Sequence, residues 1–324
     1  MPIIAQSTYA GSPPLLFNGH LQTIYPSVFR KIEGVNYTRE RLTLPDGDFV
    51  DMDWLKNNND KLVVLTHGLE GDSHRHYIKG TAKLFAQNGW DVLAWNCRSC
   101  SGEMNRAFRL YNHGEIGDIN EVIRHGLATS SYKNVVLVGF SMGGNITLKY
   151  LGVNGTKIPD QIRAGVAVSA PTDLKSSAEL LDWPSNRFYR KRFIGKLFKK
   201  IQIKAEMYPN RLDLDLIKKV KIWKDFDNFF SAPLGGYQNA DDFYEQASAI
   251  NFVGGTSVPV LVCNAHNDPI LTPECVPFEL AQKHALIFAE SPQTGGHVGF
   301  IVPNDEFTWA ERRALEFVTA ALVL

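Results

Sequence analysis

The feature that constrains this chain most is Val135-Val136-Leu137-Val138-Gly139-Phe140-Ser141-Met142-Gly143-Gly144-Asn145, an apolar β-branched run that meets Gly-x-Ser-x-Gly and continues with helical spacing. Such a run reads as a strand buried on both faces, and glycines two residues either side of Ser141 permit a turn too tight for a Cβ. A strand, sharp turn and helix in that order lift a serine hydroxyl above the sheet edge in a strained conformation. The free amide of Met142, opening the helix, is then available to an oxyanion. Gly-x-Ser-x-Gly also occurs in ordinary glycine-rich loops, so the reading as a nucleophile elbow depends on what surrounds it.

The surroundings supply the other parts of an acyl-transfer site. Leu62 to Thr66 is a continuous apolar strand ending in His67-Gly68-Leu69-Glu70-Gly71-Asp72, the loop from which Leu69 is the candidate for the second backbone donor. His67 either braces this loop through backbone hydrogen bonds or lies near substrate. The strand Pro259 to Cys263 leads to Asn267-Asp268-Pro269, and the strand Ala285 to Ala289 leads to Gly295-Gly296-His297-Val298-Gly299. Serine is a poor nucleophile at neutral pH, so His297 is expected to take its proton and return it to the leaving group. Asp268 is expected to orient the imidazole and stabilise its charged form. Asp173, which also follows a strand, is a rival for the acid.

The rest of the chain reads as a framework for these loops. Residues 1 to 38 form an irregular arm. Arg39 to Pro45 and Phe49 to Leu55 make a hairpin around Pro45-Asp46-Gly47-Asp48, and helices are expected over Tyr77 to Gln87 and Asp118 to Thr129. Trp90 to Trp95 is a strand followed by Asn96-Cys97-Arg98-Ser99-Cys100. Arg98 there either touches substrate or fastens loops by pairing with Glu103. Cys97 and Cys100 have the spacing of a thiol pair but follow a strand, and His74 and His76 lack a third ligand and read as a solvated helix start. No metal or cofactor is assigned.

After the strand Ala164 to Ala170, residues 174 to 256 are too many for a simple crossover and are expected to form an inserted cap, leaving a core of 39 to 173 and 257 to 324. Within it, Arg187 to Lys204 holds eight basic residues and no acidic one, interleaved with Phe188, Tyr189, Phe193, Leu197 and Phe198. This is either a lid helix over the cleft or a cationic helix that meets anionic lipid weakly. The lipid reading predicts liposome binding that salt abolishes and that requires Lys199 and Lys200.

Equal counts of Lys+Arg and Asp+Glu, 34 each, argue against a nucleic-acid role. Four cysteines are too few for a disulfide framework, and Met1 to Ser7 lacks the charged start and apolar block of a signal peptide. A cytoplasmic protein in a reducing compartment is expected.

With these residues in view the chain resembles the YheT-like branch of the α/β-hydrolase superfamily, to which plant embryogenesis-associated proteins belong. The resemblance runs through Asn18-Gly19-His20-Leu21-Gln22-Thr23, Asp46-Gly47-Asp48, His67 to Gly71, Asn96 with Arg98 to Glu103, the elbow, Ala232-Pro233-Leu234 with Gly236-Tyr237, and Asp268-Pro269. It implies an α/β-hydrolase fold: a mostly parallel eight-stranded sheet, helices on both faces and an inserted helical cap. It also implies an esterase-like serine hydrolase acting on small-molecule or lipid acyl esters. An acyltransferase with the same triad and a non-catalytic receptor for a small ligand are the alternatives.

Overall fold

The computed structural model describes residues 3–323; Met1 and Pro2, the start of the segment read for a leader, and Leu324 lie outside it. Short apolar runs separated by amphipathic helical stretches fold into one mixed sheet. Its strands are β1 (Ile3–Ile4), β2 (Thr38–Thr43), β3 (Phe49–Leu55), β4 (Lys61–Thr66), β5 (Asp91–Asn96), β6 (Asn134–Phe140), β7 (Ile162–Val168), β8 (Val260–Cys263) and β9 (Ile287–Glu290). Their spatial order is β1-β9-β8-β7-β6-β4-β5-β3-β2. β2 and β3 run antiparallel to each other, and β3 to β5, while every other pairing is parallel. The sheet thus has nine strands rather than eight. The addition is β1, two residues long, whose order comes from pairing with β9 and not from any run of its own.

The sheet is apolar on both faces, as parallel strands covered by helices must be. Leu62 and Val64 of β4 point into the same core as Val135 and Leu137 of β6, beneath the helices that run over 117–129 and 142–154. Val63, Leu65, Val136 and Val138 point into the opposite core, with Phe85, Ala314 and Val318. Each of these side chains is fully buried, and full burial of a Val or Leu contributes roughly 1.5–3 kcal/mol.

The helices that position the site are α1 (Gly19–Phe29), α2 (His76–Gln87), α3 (Gly117–Thr129), α4 (Met142–Asn154), α5 (Leu174–Leu181) and α6 (Arg187–Met207). The presence of α1 corrects the reading of residues 1 to 38 as irregular. Asn18 caps it, its side chain accepting from Leu21 N at 2.9 Å. Pro26 inside it is what obscures it in the sequence, because it removes a helical donor. Between β7 and β8, α5, α6 and short helices up to Ala240–Ala247 build a third apolar cluster around Leu197, Ile201, Trp223, Phe226 and Phe230. No helix among the described residues is long and apolar enough to cross a membrane.

Candidate active site

Ser141 sits between the end of β6 and the start of α4 with φ +53° and ψ −123°, a backbone conformation that costs a non-glycine residue on the order of 1–3 kcal/mol. The surroundings hold it there. A Cβ at Gly143 would overlap Thr66 O and crowd His67 O at 2.7 Å, so only glycine lets α4 start this close to the end of β4.

At the same carboxyl edge, His297 Nε2 lies 2.9 Å from Ser141 Oγ and His297 Nδ1 lies 2.8 Å from Asp268 Oδ2. The Asp268 carboxylate is fully buried, and its other oxygen accepts from Ile270 N at 2.9 Å. Asp173 is not part of this line: its side chain caps α5, accepting from Ser176 N. Leu69 and Met142 flank Ser141, and among the described residues neither backbone amide finds a protein acceptor. Two free donors beside a serine hydroxyl are the arrangement that an oxyanion requires.

The loop carrying His297 is itself strained. Val298 and Phe300 have φ +57° and +47°, which β-branched and bulky residues adopt only when held. Four residues that the sequence reading assigned no role hold it. Gln22 Oε1 accepts from Gly295 N at 2.9 Å and from Asn267 Nδ2 at 2.8 Å, and Asn267 Oδ1 accepts from Gly296 N at 3.1 Å. Thr23 Oγ1 accepts from His297 N, and Ser169 Oγ from Val298 N. The Asn18 to Thr23 motif is therefore a clasp from α1 onto the histidine loop. A Cβ at Gly19 would overlap Asn267 O, so the close approach needs that glycine. Replacing Gln22 with alanine frees Gly295 N of this loop and the Asn267 amide that braces it, and a small displacement of the imidazole is costly. We expect the rate at which Ser141 reacts with a fluorophosphonate to fall about 10- to 100-fold. An unaltered rate would show that the loop holds without the clasp.

The structure keeps His67 and Arg98 out of the walls of the cavities at Ser141, so of the two readings of each residue it is the loop-fastening one that holds and the place near substrate that does not. His67 is fully buried; its Nδ1 bonds to Gly68 O at 2.7 Å and its Nε2 accepts from Cys97 N at 3.0 Å, tying the β4 and β5 loops together. Arg98 pairs not with Glu103, which meets Arg41, but with Asp46, Asp48 and Asp118 at 2.7–2.9 Å. His76 is no solvated helix start either. Burial, with Arg30 and Arg75 beside it, takes its pKa down to about 3. Cys97 and Cys100 form no disulfide, Cys100 Sγ accepts from Lys200 Nζ, and burial pushes the Cys100 thiol up to about 11.

Burial holds His67 and His113 neutral as well, each lowered to about 4. Below their ordinary 6.5 the unfolded chain takes up protons that the folded chain refuses. Stability present above pH 6.5 is therefore lost as pH falls through the window down to 4. His67 alone gives about 1 kcal/mol per pH unit near pH 5, and the half-buried His76 and His113 add to it. Calorimetry at constant ionic strength should find Tm falling steeply from pH 6.5 to 4; a flat Tm there would contradict these burials.

Two cavities meet at Ser141 and His297. The first runs beneath α5 and α6 and is walled by Leu174, Leu197, Trp223, Phe226, Phe230 and Ile270, with no cationic side chain. The second opens between α1, α2 and α6, along Thr23, Val28, Tyr77, Phe188 and two arginines, with no carboxylate. α6 turns Tyr189, Leu197, Ile201 and Lys204 inward. The Lys204 ammonium donates to Asn105 O and Ala107 O, and Lys200 pairs with Glu70 at 2.7 Å. Lys200 is consequently no part of a lipid-facing surface. The α6 cations in 187–204 that find no protein partner among the described residues are Arg187, Lys191, Arg192 and Lys199.

This fold and edge are those of a large family, and sequence comparison agrees: a family described as alpha/beta hydrolase fold matches residues 61–303. YheT of Escherichia coli (strain K12) is 32% identical over 314 residues, covering 94% of this chain and 91% of that one. Phospholipase ABHD3 of Mus musculus is 28% identical over 298 residues, 88% of this chain and 72% of its own. Among solved structures, the Pyrococcus furiosus esterase Pf2001 superposes with a TM-score of 0.62 at 18% identity, over 90% of this chain and 96% of that one. The chain belongs to the α/β-hydrolase family. Within that family it falls in the YheT-like branch.

Proposed function

We propose that this protein hydrolyses carboxylic esters through an acyl intermediate on Ser141. The observation that carries this reading is the hydrogen-bonded line Asp268, His297, Ser141, whose serine opens into an apolar cavity. His297 Nε2 takes the Ser141 proton as Oγ attacks the ester carbonyl carbon. The amides of Leu69 and Met142 receive the charge that develops on the carbonyl oxygen. As the tetrahedral intermediate collapses, the bond to the alcohol oxygen breaks and His297 returns the proton to that leaving group. Water then repeats the sequence on the acyl carbon and frees Ser141. Asp268 holds the imidazole in the tautomer this needs. Residues 174–256 act as the cap, walling the acyl cavity over a core of 39–173 and 257–324. The name of the murine relative, a phospholipase, supports an ester bond as the target.

A series of p-nitrophenyl esters from acetate to palmitate tests this. Each methylene buried in the first cavity is worth about 0.8 kcal/mol, so kcat/KM should climb roughly fourfold per methylene and stop where Trp223, Phe226 and Phe230 close the space. No turnover at any chain length would overturn the proposal and favour a receptor on the same fold.

A further inference from the structure

We propose that the second cavity receives the alcohol part of the ester and that this part carries a negative charge, seated by Arg75 and Arg192. This rests on the ester-hydrolase reading above and names the substrate class for it. The two cavities that share Ser141 and His297 differ in one chemical respect. The first has no cation; the second has Arg75 from the start of α2 and Arg192 from α6, and no carboxylate in its wall. An acyl chain suits the first, which leaves the second for the leaving group.

The positive charge in the second cavity is unbalanced. Among the described residues neither arginine is within ion-pair distance of a carboxylate, while Arg30, which contacts His76 of the same wall, and Arg190 on α6 each have one. Arg75 makes a long contact to Ser27 Oγ, at 3.4 Å, and lies beside the Tyr77 hydroxyl, both uncharged partners. Of the acids nearby, Glu70 is taken by Lys200 and Tyr111 and Asp268 by His297, while Asp72 accepts from His74 N at the turn before α2 and forms no ion pair with Arg75. Lys196, one turn along α6 from Arg192, adds a third cation, its ammonium donating to Glu70 O at 3.3 Å. Its pKa is lowered by burial first, with the charges of Arg75, Arg192 and Lys200 acting in the same sense against Glu70. Arg75 and Arg192 come from two elements, line one cavity and have no ion-pair partner of their own there. A phosphate or carboxylate on the substrate would supply the missing charge through bidentate pairing with guanidinium.

The test compares three substrates of one acyl length: 1-butyrylglycerol, its 3-phosphate, and 3-O-butyrylglycerate. Both anionic esters should show kcat/KM at least about tenfold above the neutral one, as charge-assisted hydrogen bonds imply. That ratio should fall to within about twofold in the Arg75→Gln, Arg192→Gln double variant, and shrink in 0.5 M NaCl. Fluorophosphonate labelling of Ser141 in the variant shows that the site still assembles. A phosphate preference over carboxylate, or the reverse, identifies which anion fits best and supports the proposal either way. Equal turnover of all three esters, a preference for the neutral one, or a preference that survives both substitutions would overturn the inference and leave the hydrolase reading intact. So would failure of all three while Ser141 still labels. Loss of labelling in the unmodified protein would instead remove the hydrolase reading first.

Discussion

Ser141→Ala is expected to lower ester turnover by about 10⁴-fold or more, because removing the nucleophile of a serine hydrolase leaves only binding and the oxyanion donors. The variant should fold. Alanine is smaller than serine, and among the protein contacts of the hydroxyl only the one to His297 is lost. The φ of +53° persists, since the glycines on either side and the contact of α4 with β4 impose it. Unchanged Tm with turnover lowered by about 10⁴-fold or more would separate a chemical role from a structural one. A variant retaining more than about one per cent of activity would assign the chemistry to another group. The same logic applies to His297→Ala, whose loss should be similar and not additive with the first, because the two side chains act as one unit.

The second large effect concerns stability. Arg98 is 3% exposed and holds Asp118 bidentately at 2.7 Å while its other amino group meets Asp46 and Asp48. Arg98→Ala would leave two buried carboxylates, Asp48 and Asp118, without their cation, and breaking such a network costs about 3–5 kcal/mol. In a chain of this length that corresponds to a Tm lower by roughly 4–7 °C. Burial alone would raise Asp48, but hydrogen bonds from Asn105 and from the amides of Arg106, Ala107 and Phe49 outweigh it and hold the carboxyl at about 2. It therefore stays charged across the working range, so protonation offers no escape until strong acid. Arg98→Lys should recover only part of the loss, since an ammonium cannot reproduce the fork. Loss of activity with Tm unchanged would return Arg98 to the neighbourhood of the substrate.

What the residues reveal before any coordinates is uneven, and the reasons are physical. β4, β6 and β7 are legible because strands covered on both faces must be continuously apolar, and Gly139, Ser141 and Gly143 mark their turn by size alone. That Asp268 and His297 follow β8 and β9 is readable from the short apolar runs before them and the glycines around His297. The partners of Arg98 are not readable, because Asp46 and Asp48 lie some fifty positions earlier and only the turn of β2 into β3 brings them back. The clasp from Gln22 and Thr23 is hidden for a related reason: Pro26 masks α1, and its contacts are to a loop near the other end of the chain. β1 has no local signal at all, being two residues ordered by an edge. In α6 the charge pattern is plain, yet which cations face solvent and which grip the loop at Asn105 depends on the helix being packed.

The central claim is that the hydroxyl of Ser141 is a nucleophile activated by His297. The most direct measurement is peptide mapping by mass spectrometry after brief exposure to a fluorophosphonate, which reacts with an activated serine and spares ordinary ones. The expected result is one adduct per chain, on the peptide containing Ser141, lost in the His297→Ala variant. A chain left unlabelled, or an adduct on any residue other than Ser141, would contradict it.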